Sequence, residues 1–168
     1  MRSGRVWRFG DGIDTDAIIP GQYLDNQDPG FLAKHVMEGI DSAFSSNVAK
    51  GDIIVAGKRF GIGSSREQAV IALKAAGVET VLAESFARIF YRNAVNLGML
   101  PIVCPGCAGM FKSGDEIIID LEGGKVNNPK DSRRSLDIIP LSPTISEIYS
   151  AGGLVNLLRA EMEQKKRR

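Results

Sequence analysis

The segment GIGSSREQA, residues 61–69, constrains the fold of this chain more than any other stretch. Gly61 and Gly63 allow the sharp backbone turn that ends a strand. Ser64 and Glu67 fit the S-x-x-E pattern of a capping box, which predicts that a helix begins there. The helix N–H groups, its dipole and the Arg66 guanidinium would then face one space. The segment therefore predicts a strand, a tight turn and a helix start that binds a small di- or tri-acid.

Two further polar blocks flank this segment. The upstream block, FGDGIDTDAIIPGQYL at 9–24, places several aspartates among glycines, which is typical of an Asx-rich turn. The downstream block, ESFARIFYRNAVNLGMLPI at 84–102, has apolar residues at helical spacing, a stop at Gly98 and then a short strand. Taken alone, its polar face predicts a solvated helix surface and consists of Arg88, Arg92, Asn93 and Asn96.

Strand and helix patterns alternate along the chain and predict a mainly parallel sheet with a β addition on the C-terminal side. Predicted strands cover 5–9, 52–56, 78–83, 100–103, 116–121 and 136–140, and predicted helices cover 29–37, 66–76, 144–149 and 154–164. Gly123 and Gly124 indicate a hairpin turn, and 127–135 reads as a polar loop. With 168 residues, 43% of them hydrophobic, one domain with one proper core is expected.

Taken together, the three blocks resemble the small subunits of the aconitase-type dehydratases, specifically those of 3-isopropylmalate dehydratase and homoaconitase. The resemblance rests on GDGIDTDAIIPGQYL, GKRFGIGSSREQA and SFARIFYRNAVNLGMLP, in that order within 4–103. It implies an α/β fold, the swivelling domain of that family with its β/β/α barrel-like architecture. The expected organisation is a single domain, 1–168, with C-terminal strands and helices at 104–164 and a frayed basic tail at 165–168.

The resemblance also implies a chemistry, that of a hydro-lyase subunit active only with a large subunit. The family moves a hydroxyl between neighbouring carbons of a hydroxy diacid by reversible dehydration. A [4Fe–4S] cluster in the large subunit acts as Lewis acid on the leaving hydroxyl. By position, Ser64 matches the alkoxide that removes the proton, Ser65 and Arg66 match carboxylate-binding residues, and Asp16 matches an orienting acid. A serine can act as base only where positive charge favours its anion. Capping the helix would leave Ser64 less free to take a proton, so Ser65 or a water is the alternative cap.

In this family, the loop after the Y-L pair closes over the substrate and helps to select its variable group. Here the loop comprises Gln22, Tyr23, Leu24, Asp25 and Asn26. Several relatives carry an arginine where this chain has Asp25, and an acid facing the substrate would repel a third carboxylate. A diacid with an apolar branch follows if Asp25 does not point to solvent: 3-isopropylmalate first, then 2,3-dimethylmalate or citraconate-type substrates. The alternatives are a homoaconitase small subunit and, in another class, a non-catalytic anion-binding regulatory module.

Charge and composition exclude several partners. The net charge is +1, and no basic stripe precedes the tail, so no nucleic acid partner is expected. No run approaches the roughly 20 apolar residues of a membrane span, and 1–9 lacks the core of a signal peptide, so a cytoplasmic location is expected.

The sequence CPGC forms a C-x-x-C pair of Cys104 and Cys107 that is redox-active, half a metal site or merely structural. The structural interpretation is favoured because a metal site needs about four ligands and the only strong nitrogen ligand besides the thiols is His35. No metal is therefore expected on this chain.

Overall fold

Strand β1 (Arg2–Arg8) lies at the centre of a seven-stranded sheet in the computed structural model, which describes residues 1–167. The other strands are β2 (Ile53–Ala56), β3 (Thr80–Ala83), β4 (Leu100–Val103), β5 (Glu116–Asp120), β6 (Lys125–Asn128) and β7 (Asp131–Asp137). Their order across the sheet is β4-β3-β2-β1-β5-β6-β7. Strands β4, β3, β2 and β1 pair in parallel with their neighbours. The pairs β1–β5, β5–β6 and β6–β7 are antiparallel. The sheet thus has a parallel half and an antiparallel half that share β1.

Helices connect the parallel strands and cover the sheet. They are α1 (Thr15–Ile18), α2 (Pro29–His35), α3 (Phe44–Asn47), α4 (Glu67–Ala75), α5 (Arg88–Asn96), α6 (Cys107–Met110), α7 (Pro143–Ser150) and α8 (Leu154–Lys166), with one 3₁₀ turn at Gly21–Tyr23. Every residue of β2 and β3 is buried, as expected for parallel strands covered on both faces. Among residues 1–167, no helix is long and apolar enough to cross a membrane.

The sheet is curled, so apolar side chains form a core on each of its faces. On the helix side, Ile54 and Val81 belong to the same cluster as Val70 and Leu73 of α4. On the inner side of the sheet, a second cluster includes Val6, Val55, Leu82, Ile117 and Ile119. Ile139, which follows β7, donates its N–H to the carbonyl of Val103 at the end of β4, at 2.8 Å. This bond brings the two ends of the sheet together and makes it a half-barrel, which confirms the expected α/β barrel-like fold.

Most predicted elements are present within a few residues of their predicted bounds. The parallel strands and β5 lie where they were expected, and Gly77, at φ +99°, ends α4 as predicted. Helix α2 ends before Met37 because Val36 is extended and Met37 has φ +60°. Helix α8 continues to Lys166, two residues beyond its predicted end and into the basic tail predicted at 165–168. Basic side chains in a last turn are stabilised by the helix dipole. Arg168, the last residue of that predicted tail, lies outside the described residues.

The polar stretch at 127–135 was wrongly predicted to be a loop. Residues 127–128 belong to β6 and 131–135 to β7, with the hairpin turn at 129–130, so β7 begins at Asp131 rather than near residue 136. Strand β7 is at the sheet edge and most of its side chains are exposed or half-buried. An edge strand with one solvated face needs few apolar residues, so its sequence resembles a loop.

Candidate functional site

Two loops meet where the parallel strands β1 and β2 end. The first follows β1 and contains the aspartate-rich block, and the second follows β2 and leads to α4. Main-chain hydrogen bonds join them: Gly57 N to Gly10 O (3.1 Å), Gly12 N to Lys58 O (2.8 Å), Gly61 N to Ile13 O (2.7 Å) and Thr15 N to Ile62 O (2.8 Å). The carboxylate of Asp11 accepts a hydrogen bond from Lys58 N at 2.8 Å, and Asp14 caps α1 by accepting from Ala17 N at 2.7 Å. The predicted Asx-rich turn is therefore confirmed, and it holds the second loop in place.

At Gly61 and Gly63, neighbouring atoms leave little room for a side chain. Gly61 has φ +81°, and a Cβ there would lie 2.7 Å from Cδ2 of Phe90 and closer still to its Cγ. Gly63 has φ +104°, and a Cβ there would lie 3.1 Å from Oγ1 of Thr15. Because L residues rarely adopt such φ values, both positions favour glycine on conformation as well as on space. The glycine turn predicted between strand and helix is confirmed.

Ser64 and Ser65 are exposed and lie outside the helix. Helix α4 begins at Glu67, and its N-cap is Arg66, which makes no side-chain capping hydrogen bond. The predicted capping box is therefore wrong. The reason is that Arg66 is extended, at φ −124°, so Glu67 occupies the first helical position instead of the third. Neither serine caps α4, and the conflict between capping and proton transfer at Ser64 does not arise.

Thr15 fixes the main chain at Ser64. Its hydroxyl donates to the carbonyl oxygen of Ser64 at 3.1 Å, and Thr15 is almost fully buried. The Ser64 backbone is thus attached to the first loop, while its side chain is directed to an exposed position. The sequence reasoning did not select Thr15, although it lies between Asp14 and Asp16 in the same block.

Arg66 and Asp16 form an ion pair at this corner. Nη1 of Arg66 contacts Oδ1 of Asp16, and it also donates to the carbonyl of Ile19 at 3.3 Å. The Arg66 side chain is only 16% exposed, whereas that of Asp16 is 66% exposed. A Cβ on Gly21 would lie 3.7 Å from Nη2 of Arg66, so the start of the next loop packs against the guanidinium. Asp16 is therefore the ion-pair partner of Arg66.

The loop predicted to select the substrate starts beside this corner and is attached to α2 through Tyr23. The Tyr23 ring stacks on His35 with centroids 3.9 Å apart. Glu38 lies beside the Tyr23 hydroxyl and raises the pKa of Tyr23, and its carboxylate is 2.9 Å from Nδ1 of His35. Leu24 packs against the core, whereas Gln22, Asp25 and Asn26 are exposed. The contact of Tyr23 with His35 and Glu38 was not predicted, since it joins the loop to the opposite end of α2.

The third sequence block packs against the second loop and forms hydrogen bonds with it. Phe60 donates its N–H to Ser85 O at 3.0 Å and accepts from Ala87 N at 2.9 Å. Phe90 of α5 packs edge-on against Phe60, with centroids 5.1 Å apart, and fills the space under Gly61. All three blocks thus meet at one corner, which we call the site corner and define by Asp16, Gly63, Ser64, Ser65 and Arg66.

The two cysteines lie in the inner core, away from this corner. Both are fully buried, and their thiols contact main-chain carbonyls: Cys104 that of Asp137 at 3.6 Å and Cys107 that of Ala56 at 3.5 Å. The neighbouring Cys104 and burial together raise the pKa of the Cys107 thiol. Across residues 1–167, no group of three or more His, Cys, Asp or Glu side chains could hold a metal ion. The pair therefore does not fit an iron–sulfur cluster, which takes about four thiolates.

Known proteins match both the sequence and the structure. A profile of the family "Aconitase C-terminal domain" matches residues 12–106. The 3-isopropylmalate dehydratase small subunit 1 of Methanopyrus kandleri is 56% identical over 94% of this chain and 92% of its own length. The methanogen homoaconitase small subunit of Methanothermobacter thermautotrophicus is 53% identical over 91% of this chain and 88% of its own length.

The solved structure of 3-isopropylmalate dehydratase from Methanocaldococcus jannaschii superposes with a TM-score of 0.91 at 47% identity, covering 99% of this chain and 98% of that one. Identity at this level over nearly whole chains, together with the same fold, leaves one assignment. The chain belongs to the aconitase C-terminal domain family, in the group of small dehydratase subunits.

Proposed function

We propose that this chain is the small subunit of a 3-isopropylmalate dehydratase, which interconverts 2-isopropylmalate and 3-isopropylmalate by dehydration and rehydration, a step of leucine biosynthesis. The observation that carries the proposal is the site corner, where the Ser64 side chain is exposed and not used as a helix cap, next to a nearly buried Arg66. The names of relatives at about 50% identity support the same reaction.

The roles at the corner follow from its charges. Ser64 Oγ takes the proton from the carbon next to a substrate carboxylate and returns it in the reverse reaction. A serine anion is normally far too basic to form, so nearby positive charge has to stabilise it. Arg66 and the first turn of α4, which no side chain caps, supply that charge. Ser65 and Arg66 bind the substrate carboxylate, and Asp16 holds Arg66 in place through their ion pair.

The second half of the reaction, loss of the hydroxyl, requires a group that this chain does not carry. The family implies a [4Fe–4S] cluster, and Cys104 and Cys107 do not fit one because such a cluster takes about four thiolates and the sequence has two cysteines. We therefore place the cluster on a large iron–sulfur subunit that forms a heterodimer or a heterotetramer with this chain. We further propose that residues 1–168 act as one domain in the cytoplasm, with a hydroxy-dicarboxylic acid as substrate.

Dehydratase activity should require both chains. We expect no turnover of 3-isopropylmalate by the purified chain alone, and turnover after the cluster-bearing large subunit is added anaerobically. The assay detects formation of the unsaturated intermediate through its ultraviolet absorbance. Turnover by the isolated chain in metal-free buffer would contradict the two-subunit proposal.

The second candidate is a homoaconitase small subunit, which one relative at 53% identity favours. Homoaconitate carries a third carboxylate, and two like charges about 4 Å apart repel by roughly 4 kcal/mol at intermediate screening. Asp25 is exposed in the loop that starts beside Arg66, so its charge disfavours such a substrate. We therefore keep 3-isopropylmalate as the first choice.

Replacing Asp25 by arginine should shift specificity towards triacids. We expect the ratio of kcat/KM for homoaconitate to that for 3-isopropylmalate to rise about fivefold, because an exposed charge pair contributes only about 1 kcal/mol. Both substrates should be measured on the reconstituted enzyme at low and high salt, with Gln22→Arg as a matched control in the same loop. If the ratio is unchanged at low salt, Asp25 faces away from the substrate.

A further inference from the structure

The exposed side of α5 carries two arginines next to the site corner. Its buried side consists of Phe90, Ala94 and Val95. On the other side, Arg88 and Arg92 are exposed, and Ile89 between them is 48% exposed. Within residues 1–167, neither arginine takes part in an ion pair. This side of α5 therefore presents two cations with an apolar side chain between them.

Two cavities lie along this side of the helix. One has a volume of about 370 Å³ and is bounded by Gly63 of the site corner and by Ala87, Arg88, Ile89 and Arg92. The other has a volume of about 540 Å³, shares Arg88 and Arg92 with the first, and is otherwise lined mainly by apolar and aromatic side chains, among them Phe86, Tyr91 and Ile145. Together they form a groove that begins at the site corner and continues along α5.

The aromatic wall of the groove is held by its neighbours. The Phe86 ring is parallel to that of Phe90 with centroids 6.3 Å apart, and it meets Tyr91 edge-on at 5.7 Å. Phe60 contacts Phe86 edge-on at 6.1 Å. A wall fixed in this way loses little conformational entropy when a partner binds, so the groove is preorganised for docking.

We propose that this groove, with Arg88, Ile89 and Arg92, is the surface on which the iron–sulfur large subunit docks. The inference rests on the proposed function, because Ser64 has to reach a substrate that is held at a cluster on the partner. Gly63 directly precedes Ser64 and also bounds the smaller cavity. A chain that covers Ser64 therefore also covers the start of the groove.

The chemistry of the groove specifies what the partner presents. Carboxylates of the large subunit pair with Arg88 and Arg92, and an apolar side chain enters beside Ile89. Arginine and aromatic residues are the side chains most often found at the energetic centre of such interfaces. Helix α8 also has an exposed apolar stripe, Val155, Leu158 and Met162, but none of these residues lines either cavity beside Gly63 or Arg88.

Charge reversal tests this surface. The double variant Arg88→Glu with Arg92→Glu should weaken binding of the purified large subunit at least about 100-fold, since each reversal replaces an attractive pair by a repulsive one. Ile89→Asp should weaken binding as well. The control is Arg133→Glu on β7, whose side chain is 89% exposed and lines neither cavity of the groove, and it should change Kd less than about threefold. Kd is measured by calorimetry, and the thermal unfolding of each variant shows that it is folded.

The outcomes separate the two proposals. If the wild-type chain does not bind the large subunit at all, the proposed function fails. If wild type binds and the folded double variant binds equally well, the docking surface is wrong. The same conclusion follows if the double variant only raises KM at unchanged Kd for the partner, because the arginines would then bind substrate. It also follows if the variant only abolishes association of this chain with a second copy of itself.

Discussion

Replacing Ser64 by alanine should lower kcat of the reconstituted dehydratase at least about 100-fold while KM stays nearly unchanged. This is the usual effect of removing a general base that does not contribute to substrate binding. The substitution should leave the fold intact, because the Ser64 side chain is exposed and does not cap α4. The bond from Thr15 reaches the Ser64 main chain and is therefore kept. Steady-state kinetics and the melting temperature of the variant provide the measurement.

Ser65→Ala is the matched control for this prediction. Ser65 is exposed like Ser64 and precedes the same helix, but we assign it to the substrate carboxylate. Its loss should chiefly raise KM and leave kcat within about tenfold of wild type. If the two variants exchanged these effects, Ser65 would be the base. A Ser64→Ala enzyme with near-normal kcat would remove the base from this corner.

Replacing Gly61 by alanine should destabilise the protein by at least about 3 kcal/mol. Two costs add at this position: the left-handed φ of +81° and the overlap of the new methyl group with Phe90. Phe90 cannot move freely because it packs against both Phe60 and Phe86. Chemical denaturation of the isolated chain measures the loss in free energy of unfolding.

Gly106→Ala separates the two costs. Gly106 has nearly the same φ, +80°, but a Cβ there would meet no atom within 4 Å. It should therefore show the conformational cost alone, about 1 kcal/mol. For a chain of this size each kcal/mol lowers Tm by about 2 to 4 °C, so the two variants should differ by at least about 4 °C. Equal Tm values would show that the contact with Phe90 relaxes without cost.

The sequence predicts the parallel half of the fold and the composition of the site corner, because both depend on local patterns. Buried strands such as β2 are apolar throughout, and the turn at Gly61 and Gly63 follows from backbone conformation. The capping box was wrong, although the helix begins within one residue of its predicted start, because S-x-x-E is compatible with more than one N-cap and the extended Arg66 takes that position. Strand β7 was missed because an edge strand can be polar, so that its pairing with β6 replaces hydrophobic burial as the signal.

Contacts between segments distant in sequence were beyond such patterns. Nothing local to Tyr23 indicates that it stacks on His35, nor does Thr15 indicate that its hydroxyl reaches Ser64. The exposed face of α5 was predicted to be only a solvated surface. Its position beside Gly63 of the site corner depends on the fold and is not visible in the local sequence. The family resemblance supplied candidate roles for Ser64, Ser65, Arg66 and Asp16, and the geometry adds the ion pair between Asp16 and Arg66.

The position of β1 affects how the chain is synthesised and folds. Strand β1 leaves the ribosome before the other six strands of the sheet, and one of its edges pairs with β2, through Val6 and Ile53. Its other edge pairs with β5, and Arg8 bonds to Ser113, 105 positions later. Contacts of such long range make folding slow, and until β5 emerges one edge of β1 is open to pairing with other chains. The stretch 12–106, which contains the whole site corner, includes neither β1 nor β5, so the strand at the centre of the sheet and its antiparallel neighbour lie outside it.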